Sequence, residues 1–292
     1  MSYGALGVVV IAWLGLCVGS FLNVVIYRLP VILNRQWTVQ ANAHLAENDD
    51  AALAIAEADA QQEPFNLMVP RSRCPGCGSL ITATQNIPVL SWLWLRGKCG
   101  SCGISIPARY PGVELLTGLL SLAVIGIFGF GATGYAALVF TWILVAATFI
   151  DFDTQLLPDQ LTLPLMWMGL LFNLGVWVWS GFVSLPDAVI GAIAGYLFLW
   201  TTYWGFKLAT GKEGMGYGDF KLLAAIGAWL GWQILPATIL IASIAGLVYA
   251  VSGMLRGKQQ ASQPIAFGPF LAVGGWVCLI FRDTVLRLLG GS

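Results

Sequence analysis

Long apolar stretches separated by short polar turns organise this chain. A bilayer span needs about 20 mostly apolar residues, and on that measure the pattern predicts spans at 4–27, 112–130, 133–150, 160–180, 184–206, 221–235, 237–255 and 266–281. The sixth and eighth are short, and Pro236 allows 221–255 to form one kinked unit. Eight is therefore the expected number, with six or seven as alternatives. No Lys or Arg precedes the first stretch, it exceeds the core of a secretory signal, and no small-residue cleavage site stands before Arg28. A lipoprotein box ahead of Cys17 is opposed by the bulky Leu16. The first stretch is expected to remain as an uncleaved helix.

Basic residues then orient the spans, because cytoplasmic segments collect Lys and Arg. With the N-terminus outside, Arg28, Arg35, Arg71, Arg73, Arg96, Lys98, Arg109, Lys207, Lys212, Lys221, Arg256 and Lys258 are cytoplasmic, and only Arg282 and Arg287 are external. The segments 28–111, 151–159, 207–220 and 256–265 fall on the cytoplasmic side. Composition agrees with a chain dissolved in lipid. Of 292 residues, 58% are apolar and 10% charged, against roughly 25% charged in soluble domains. A soluble enzyme, a disordered chain and a nucleic-acid binder of the basic-patch kind are excluded, and 13 Trp suit anchoring at the interfaces. The expected fold is an all-α polytopic membrane protein of about eight transmembrane helices.

The sizeable aqueous piece lies between the first and second spans, and it divides in two. Residues 31–69 carry Glu47, Asp49, Asp50, Glu57, Asp59 and Glu63 in an Ala/Gln/Asn-rich stretch and read as an acidic, solvated helix or linker, with His44 an ordinary surface histidine. Residues 70–111 crowd Pro, Gly, Cys and aromatic residues together, as a small compact module does. Within it, Cys74-Pro-Gly-Cys77 and Cys99-Gly-Ser-Cys102 form two CxxC turns 21 residues apart. Each turn offers two thiolates to one ion, and two such turns close a tetrahedral structural zinc site. On the reducing side of the membrane, disulfides between them are disfavoured. A module of about 40 residues also gains from a metal what its core lacks. Cys17 and Cys278 lie inside spans and read as packing residues. The expected division is a first helix at 1–30, the linker at 31–69, the tetracysteine module at 70–111 and a transmembrane core at 112–292.

Carboxylates at span ends are costly and are functional candidates by default. The third span ends in Asp151-Phe-Asp153-Thr-Gln-Leu-Leu-Pro158-Asp159, and Gly214-Met-Gly216-Tyr-Gly218-Asp219-Phe-Lys221 opens the sixth. Both segments fall at the cytoplasmic face, so Asp151 and Asp219, 68 positions apart, can meet there. Two carboxyls in contact and shielded from water share one proton; the ionised member then activates water while the protonated one polarises a carbonyl. The glycines before Asp219 let a substrate backbone approach. Asp153 and Asp159 read as capping or solvated charges. By these residues alone, a catalytic pair and an ion or proton pathway stand level. Gly211-Lys212-Glu213 lacks the spacing and the Ser/Thr of a phosphate loop.

The motifs are more specific than the physics. Gly218-Asp219 completes the GxGD signature of membrane aspartic proteases, and Gly-Met-Gly-Tyr-Gly-Asp-Phe-Lys closely resembles the bacterial prepilin peptidases, or type IV leader peptidases. The likeness extends over Gly19-Ser-Phe-Leu-Asn23-Val-Val-Ile-Tyr-Arg28-Leu-Pro30, the four cysteines, Arg109-Tyr-Pro-Gly-Val-Glu114, Asp151 to Asp159 and Pro264-Ile-Ala-Phe-Gly-Pro269. The Pro-Ala-Leu motif of presenilin-like enzymes is missing. The resemblance implies a bifunctional enzyme of the bacterial inner membrane, working at its cytoplasmic face. Such an enzyme cuts the short basic leader from type IV prepilins or type II secretion pseudopilins, between Gly and usually Phe, and then methylates the new N-terminus with S-adenosylmethionine. Asp151 and Asp219 match the two catalytic aspartates, and Cys74, Cys77, Cys99 and Cys102 match the zinc-binding tetracysteine motif. Glu114 is expected to orient or deprotonate the amine, and Asn23 and Arg28 to contact the cofactor or leader. No Rossmann-type glycine fingerprint places the S-adenosylmethionine site.

Overall fold

Each of the eight apolar stretches folds as a helix, as it must where no water can satisfy the backbone. The structure, a computed structural model, describes residues 4–46, 64–175, 181–257 and 265–290. The acidic run from Glu47 to Glu63, Lys258 and Pro264 lie outside the described residues. Helix α1 covers Ala5–Ala46, α2 Leu90–Trp94, α3 Arg109–Phe128, α4 Ala132–Thr154, α5 Asp159–Asn173 and α6 Leu185–Thr210. They are followed by α7 at Tyr217–Leu230, α8 at Leu235–Leu255, α9 at Gly268–Ile280 and α10 at Arg282–Leu288. No β-strand occurs among the described residues; two isolated bridges, Arg73 with Leu80 and Lys98 with Ser105, belong to the cysteine turns.

The helices differ in length from the predicted spans. Five are long and apolar enough to cross a membrane: α1, α3, α4, α6 and the segment Trp232–Leu255 that contains α8. A sixth crossing would be α9 and α10 together, which meet at a bend of 93°. Helices α5 and α7 have only 15 and 14 residues, or about 22 and 21 Å at ~1.5 Å per residue, against a hydrocarbon core of ~30 Å. At the other extreme, α1 does not stop at the expected boundary near residue 30. It continues with Pro30 inside it to Ala46, so the first part of the expected linker is helix.

The chain forms two compact units, residues 1–119 and 120–292. In the first, α1 and the start of α3 approach closely at glycine. A Cβ on Gly19 would stand 2.6 Å from the Glu114 Cα, and one on Gly118 would meet the Leu16 side chain at 3.1 Å. Asn23 Nδ2 donates to the Tyr110 carbonyl at 3.0 Å. Further along α1, the Arg28 guanidinium donates to the carbonyls of Asn66 and Pro70 at 2.8 and 2.6 Å, and both Arg28 and Arg35 lie over the Phe65 ring. Residues 65–70 are thereby tied back onto α1.

In the second unit the short helix α7 is enclosed by protein, with eleven of its 14 residues buried. Its backbone meets that of α6 at small residues: a Cβ on Gly227 would stand 2.2 Å from the Gly191 carbonyl oxygen, and one on Gly195 would stand 2.7 Å from that of Leu223. Glycines spaced four apart allow such contact, which in lipid replaces the hydrophobic drive between helices. At the far end of α7, Trp229 Nε1 donates to the Leu165 carbonyl at 2.7 Å, and Asn173 Nδ2 donates to the carbonyls of Ala228 and Trp229. These bonds fix α7 lengthwise against α5. Its opposite end, the N-terminus, carries Asp219.

Candidate functional site

Asp151 stands in the last turn of α4. That helix stops because Gln155 turns left-handed, at φ 54°, and donates its N–H back to the Asp151 carbonyl. Asp219 is the third residue of α7, whose N-cap is Gly216, and its carboxylate reaches back toward the Gly216 backbone. Two helix ends of opposite polarity thus bring the two acids to one cavity. Asp151 is 4% exposed and Asp219 6%; Asp151 acts electrostatically on Asp219, and both border one cavity of about 280 Å³.

Three glycines, Gly214, Gly216 and Gly218, are part of the cavity wall. Residues 213–216, Gly218, and Ile265 to Phe267 line it with Gln155 and Leu157. A Cβ on Gly216 would meet nothing nearer than Asp219 Oδ2 at 3.9 Å, so an extended peptide has room beside this carboxylate. Gly268 has the opposite surroundings. A Cβ there would stand 2.6 Å from Asp151 Oδ2 and 2.7 Å from Leu157 Cδ1. The Gly268 backbone amide approaches the Asp151 carboxylate, whose Oδ2 is buried. Two buried carboxyls bordering one cavity are the arrangement in which a shared proton becomes favourable.

The neighbouring acids have other surroundings. Asp159, in the first turn of α5, pairs with Lys221 Nζ at 2.6 and 2.8 Å. Asp153 is exposed, two residues beyond Asp151 and therefore on another side of α4. Lys221 is drawn to Asp159, and among the described residues that line the cavity there is no basic side chain. Sequence reasoning missed Gln155, Leu157, Glu213 and the close approach of Gly268. Glu213 stands beside the glycine run and pairs with Lys207 at 2.8 Å; its position next to Gly214 was the available signal.

The four module cysteines come together. Their sulfurs lie within 4.8 Å of one another, with Cys74 and Cys102 at 3.7 Å. A tetrahedron of sulfurs around zinc at ~2.3 Å has edges of about 3.8 Å, so the cluster has the size of a zinc tetrathiolate. Its two turns are built alike. Cys74 N–H donates to the Ser79 carbonyl and Gly78 N–H to that of Cys74; Cys99 and Gly103 repeat the pattern with Ile104 and Cys99. Gly78 and Gly103 both take φ near +70°, at 70° and 73°, which glycine alone adopts freely. The backbone amides of Cys102 and Ser101 pull the Cys99 thiol down to about 6, and the Ser79 hydroxyl lowers that of Cys77. The Ile104 amide favours a Cys102 thiolate too, but desolvation and the thiols of Cys77, Cys74 and Cys99 outweigh it and push Cys102 up to about 12. A cation removes that mutual opposition, and all four positions of a tetrahedral ion would be filled by protein. Cys17 and Cys278 are free and stand apart from this cluster, Cys278 buried.

The residues expected to serve methyl transfer are each engaged within the first unit. Asn23 holds Tyr110 and Arg28 holds Asn66 and Pro70. Glu114, 9% exposed, accepts the Val89 N–H at 2.7 Å through Oε2. They bind separate stretches of backbone.

Residues 13–128 match the sequence profile of the bacterial peptidase A24 N-terminal domain, and residues 138–251 that of the type IV leader peptidase family. A prepilin leader peptidase/N-methyltransferase of Aeromonas hydrophila is 56% identical over 272 residues, 93% of this chain and 90% of the relative. Proteins of the same description from Stutzerimonas stutzeri and Pseudomonas aeruginosa are 52% and 50% identical, over 93% and 94% of this chain and 90% of each relative. No solved structure matches the chain.

Proposed function

The chain belongs to the type IV leader peptidase family, and from that premise we propose that it cleaves the leader from type IV prepilins and type II secretion pseudopilins at a Gly-Phe bond, with Asp151 and Asp219 as the catalytic residues. The observation that carries the reading is the meeting of these two buried carboxylates, from helix ends 68 positions apart, on one cavity. The substrate's apolar segment lies in the bilayer, and its scissile bond enters beside Gly216. The ionised aspartate takes a proton from water as the water oxygen attacks the peptide carbonyl carbon; the protonated aspartate donates toward the carbonyl oxygen. The tetrahedral intermediate collapses with proton transfer to the leaving nitrogen, and the acid pair returns to its singly protonated state. No covalent acyl-enzyme forms.

The same protein then N-methylates the released N-terminus. S-adenosylmethionine, when bound, would supply the methyl group and leave as S-adenosylhomocysteine; the amine, whose pKa is ordinarily about 7.7–8.0, must first lose its proton. Glu114 would orient or deprotonate that amine, and Asn23 and Arg28 would contact the cofactor or leader, with the atoms that their bonds to Val89, Tyr110, Asn66 and Pro70 leave open. Cys74, Cys77, Cys99 and Cys102 hold a structural zinc ion, which fastens the two turns of a module with little core of its own. Module and active site would lie at the cytoplasmic face of the inner membrane, a reading supported by the bias of Lys and Arg.

Membranes containing the protein, incubated with a prepilin with and without S-adenosylmethionine and read by product mass, test the proposal. Asp151→Asn and Asp219→Asn each abolish cleavage, while the exposed Asp153→Asn retains much of it. Full cleavage by a correctly inserted Asp219→Asn variant refutes the aspartyl mechanism.

A further inference from the structure

Helix α2 presents an apolar face that none of the described residues covers. Leu90, Leu93 and Trp94 are 57, 59 and 83% exposed, and their i, i+3, i+4 spacing puts them on one side of the helix. The other side belongs to the module: Trp92 Nε1 donates to the Ile106 carbonyl at 3.1 Å, and the Trp92 ring lies where a Cβ on Gly97 would meet it at 2.9 Å.

The depth of α2 is set by its first residue's neighbour. Val89 is the centre of a tight turn in which Leu90 N–H donates to the Pro88 carbonyl, with φ 59° and ψ −49°. This γ-turn geometry is rare and strained, more so for a β-branched residue. The Val89 N–H is held by Glu114 Oε2, and Glu114 is the sixth residue of α3, a helix long and apolar enough to cross the membrane. The start of α2 is therefore fastened beside the entry of α3 into the bilayer. Charge points the same way. Between residues 70 and 111 there are five basic residues, Arg71, Arg73, Arg96, Lys98 and Arg109, and no acidic one. Arg96 and Lys98, directly after α2, are both exposed.

We propose that α2 is a membrane-surface foot of the cysteine module: Leu90, Leu93 and Trp94 enter the lipid of the cytoplasmic leaflet, Arg96 and Lys98 meet anionic headgroups, and Glu114 is the positioning residue that holds the foot at this depth. Aromatic and aliphatic side chains next to basic ones are the composition that binds such an interface. The proposal rests on the topology given above, with the module on the cytoplasmic side, but not on leader cleavage.

The full chain, reconstituted in vesicles of phosphatidylcholine and phosphatidylglycerol carrying a diazirine in the acyl chain, is irradiated, digested and mapped for lipid adducts by mass. Adducts are expected on 90–94 as well as on α1 and α4, with the exposed turn 75–78 at background. Background labelling of 90–94 while α1 and α4 are labelled overturns the proposal, as does a crosslink from 90–94 to a second copy in place of lipid. Leu93→Glu with Trp94→Glu alters only exposed side chains; it is expected to lose the adducts with zinc content unchanged, and persistent labelling counts against an apolar foot. Glu114→Ala is expected to lose adducts that Glu114→Gln keeps, since the amide oxygen still accepts from Val89; equal labelling of the two removes Glu114 from the positioning role. Because none of these readouts requires catalysis, an inactive peptidase and a module away from the lipid are told apart.

Discussion

Replacing Gly268 with Ala tests the cavity through a residue that has no chemistry of its own. The added Cβ would stand 2.6 Å from Asp151 Oδ2 and 2.7 Å from Leu157 Cδ1. Carbon and oxygen that are not bonded to each other settle at about 3.3 Å or more, so the carboxylate must retreat by roughly 0.7 Å on that same contact distance. Displacements near 1 Å from the productive geometry cost on the order of 100-fold in rate. We expect kcat for leader cleavage to fall between about 10- and 100-fold, with the substrate KM changed less, because Asp151 and the tip of Leu157 are the parts of the lining that the new Cβ displaces. Overpacking of this kind costs about 1–3 kcal/mol of stability, which the insertion level and zinc content of the variant monitor. Initial rates at saturating prepilin in reconstituted membranes provide the assay, with Gly126→Ala as the control, since a Cβ there meets nothing within 4 Å. Methylation of a pilin whose leader has already been removed should survive. A Gly268→Ala enzyme that cleaves at the parental kcat refutes the claim that Asp151 acts from the position it holds against Gly268.

Two further outcomes follow from the packing and from the cysteine cluster. Purified protein should carry about one zinc ion per chain, as a single four-cysteine site requires, and Cys74→Ser, at the buried ligand, should lower that content; a metal-free preparation that stays active after thiol alkylation removes the zinc reading. Gly227→Ala places a Cβ 2.2 Å from the Gly191 carbonyl oxygen and should destabilise the second unit by about 1–3 kcal/mol, read as a lower midpoint of thermal unfolding in detergent; an unchanged midpoint contradicts the close approach of α6 and α7.

Helix existence was legible in the apolar pattern, but helix limits were not. An apolar run has two solvents that dissolve it equally well, lipid and other helices, and a helix apolar on all sides reads the same for both. Helix α7 shows the consequence: predicted as a span, it is enclosed by protein and 14 residues long. Helix α1 errs in the other direction, because nothing in its polar continuation to Ala46 signals a stop once Pro30 is accommodated. The acid pair was legible because a carboxylate beside apolar sequence is expensive and therefore conspicuous. Glu114 was conspicuous for the same reason, but its partner was not, since the Val89 amide becomes a ligand only after a γ-turn exposes it. Gly268 and Leu157 are ordinary residues in sequence; their importance lies in the distance between a backbone atom and Asp151 Oδ2, which no spacing encodes. The enclosure of α7 also bears on the chemistry. Surrounded by α5, α6 and α9, with Asp219 6% exposed, that acid is withdrawn from bulk water, and burial adds to the cost of placing a second negative charge beside it.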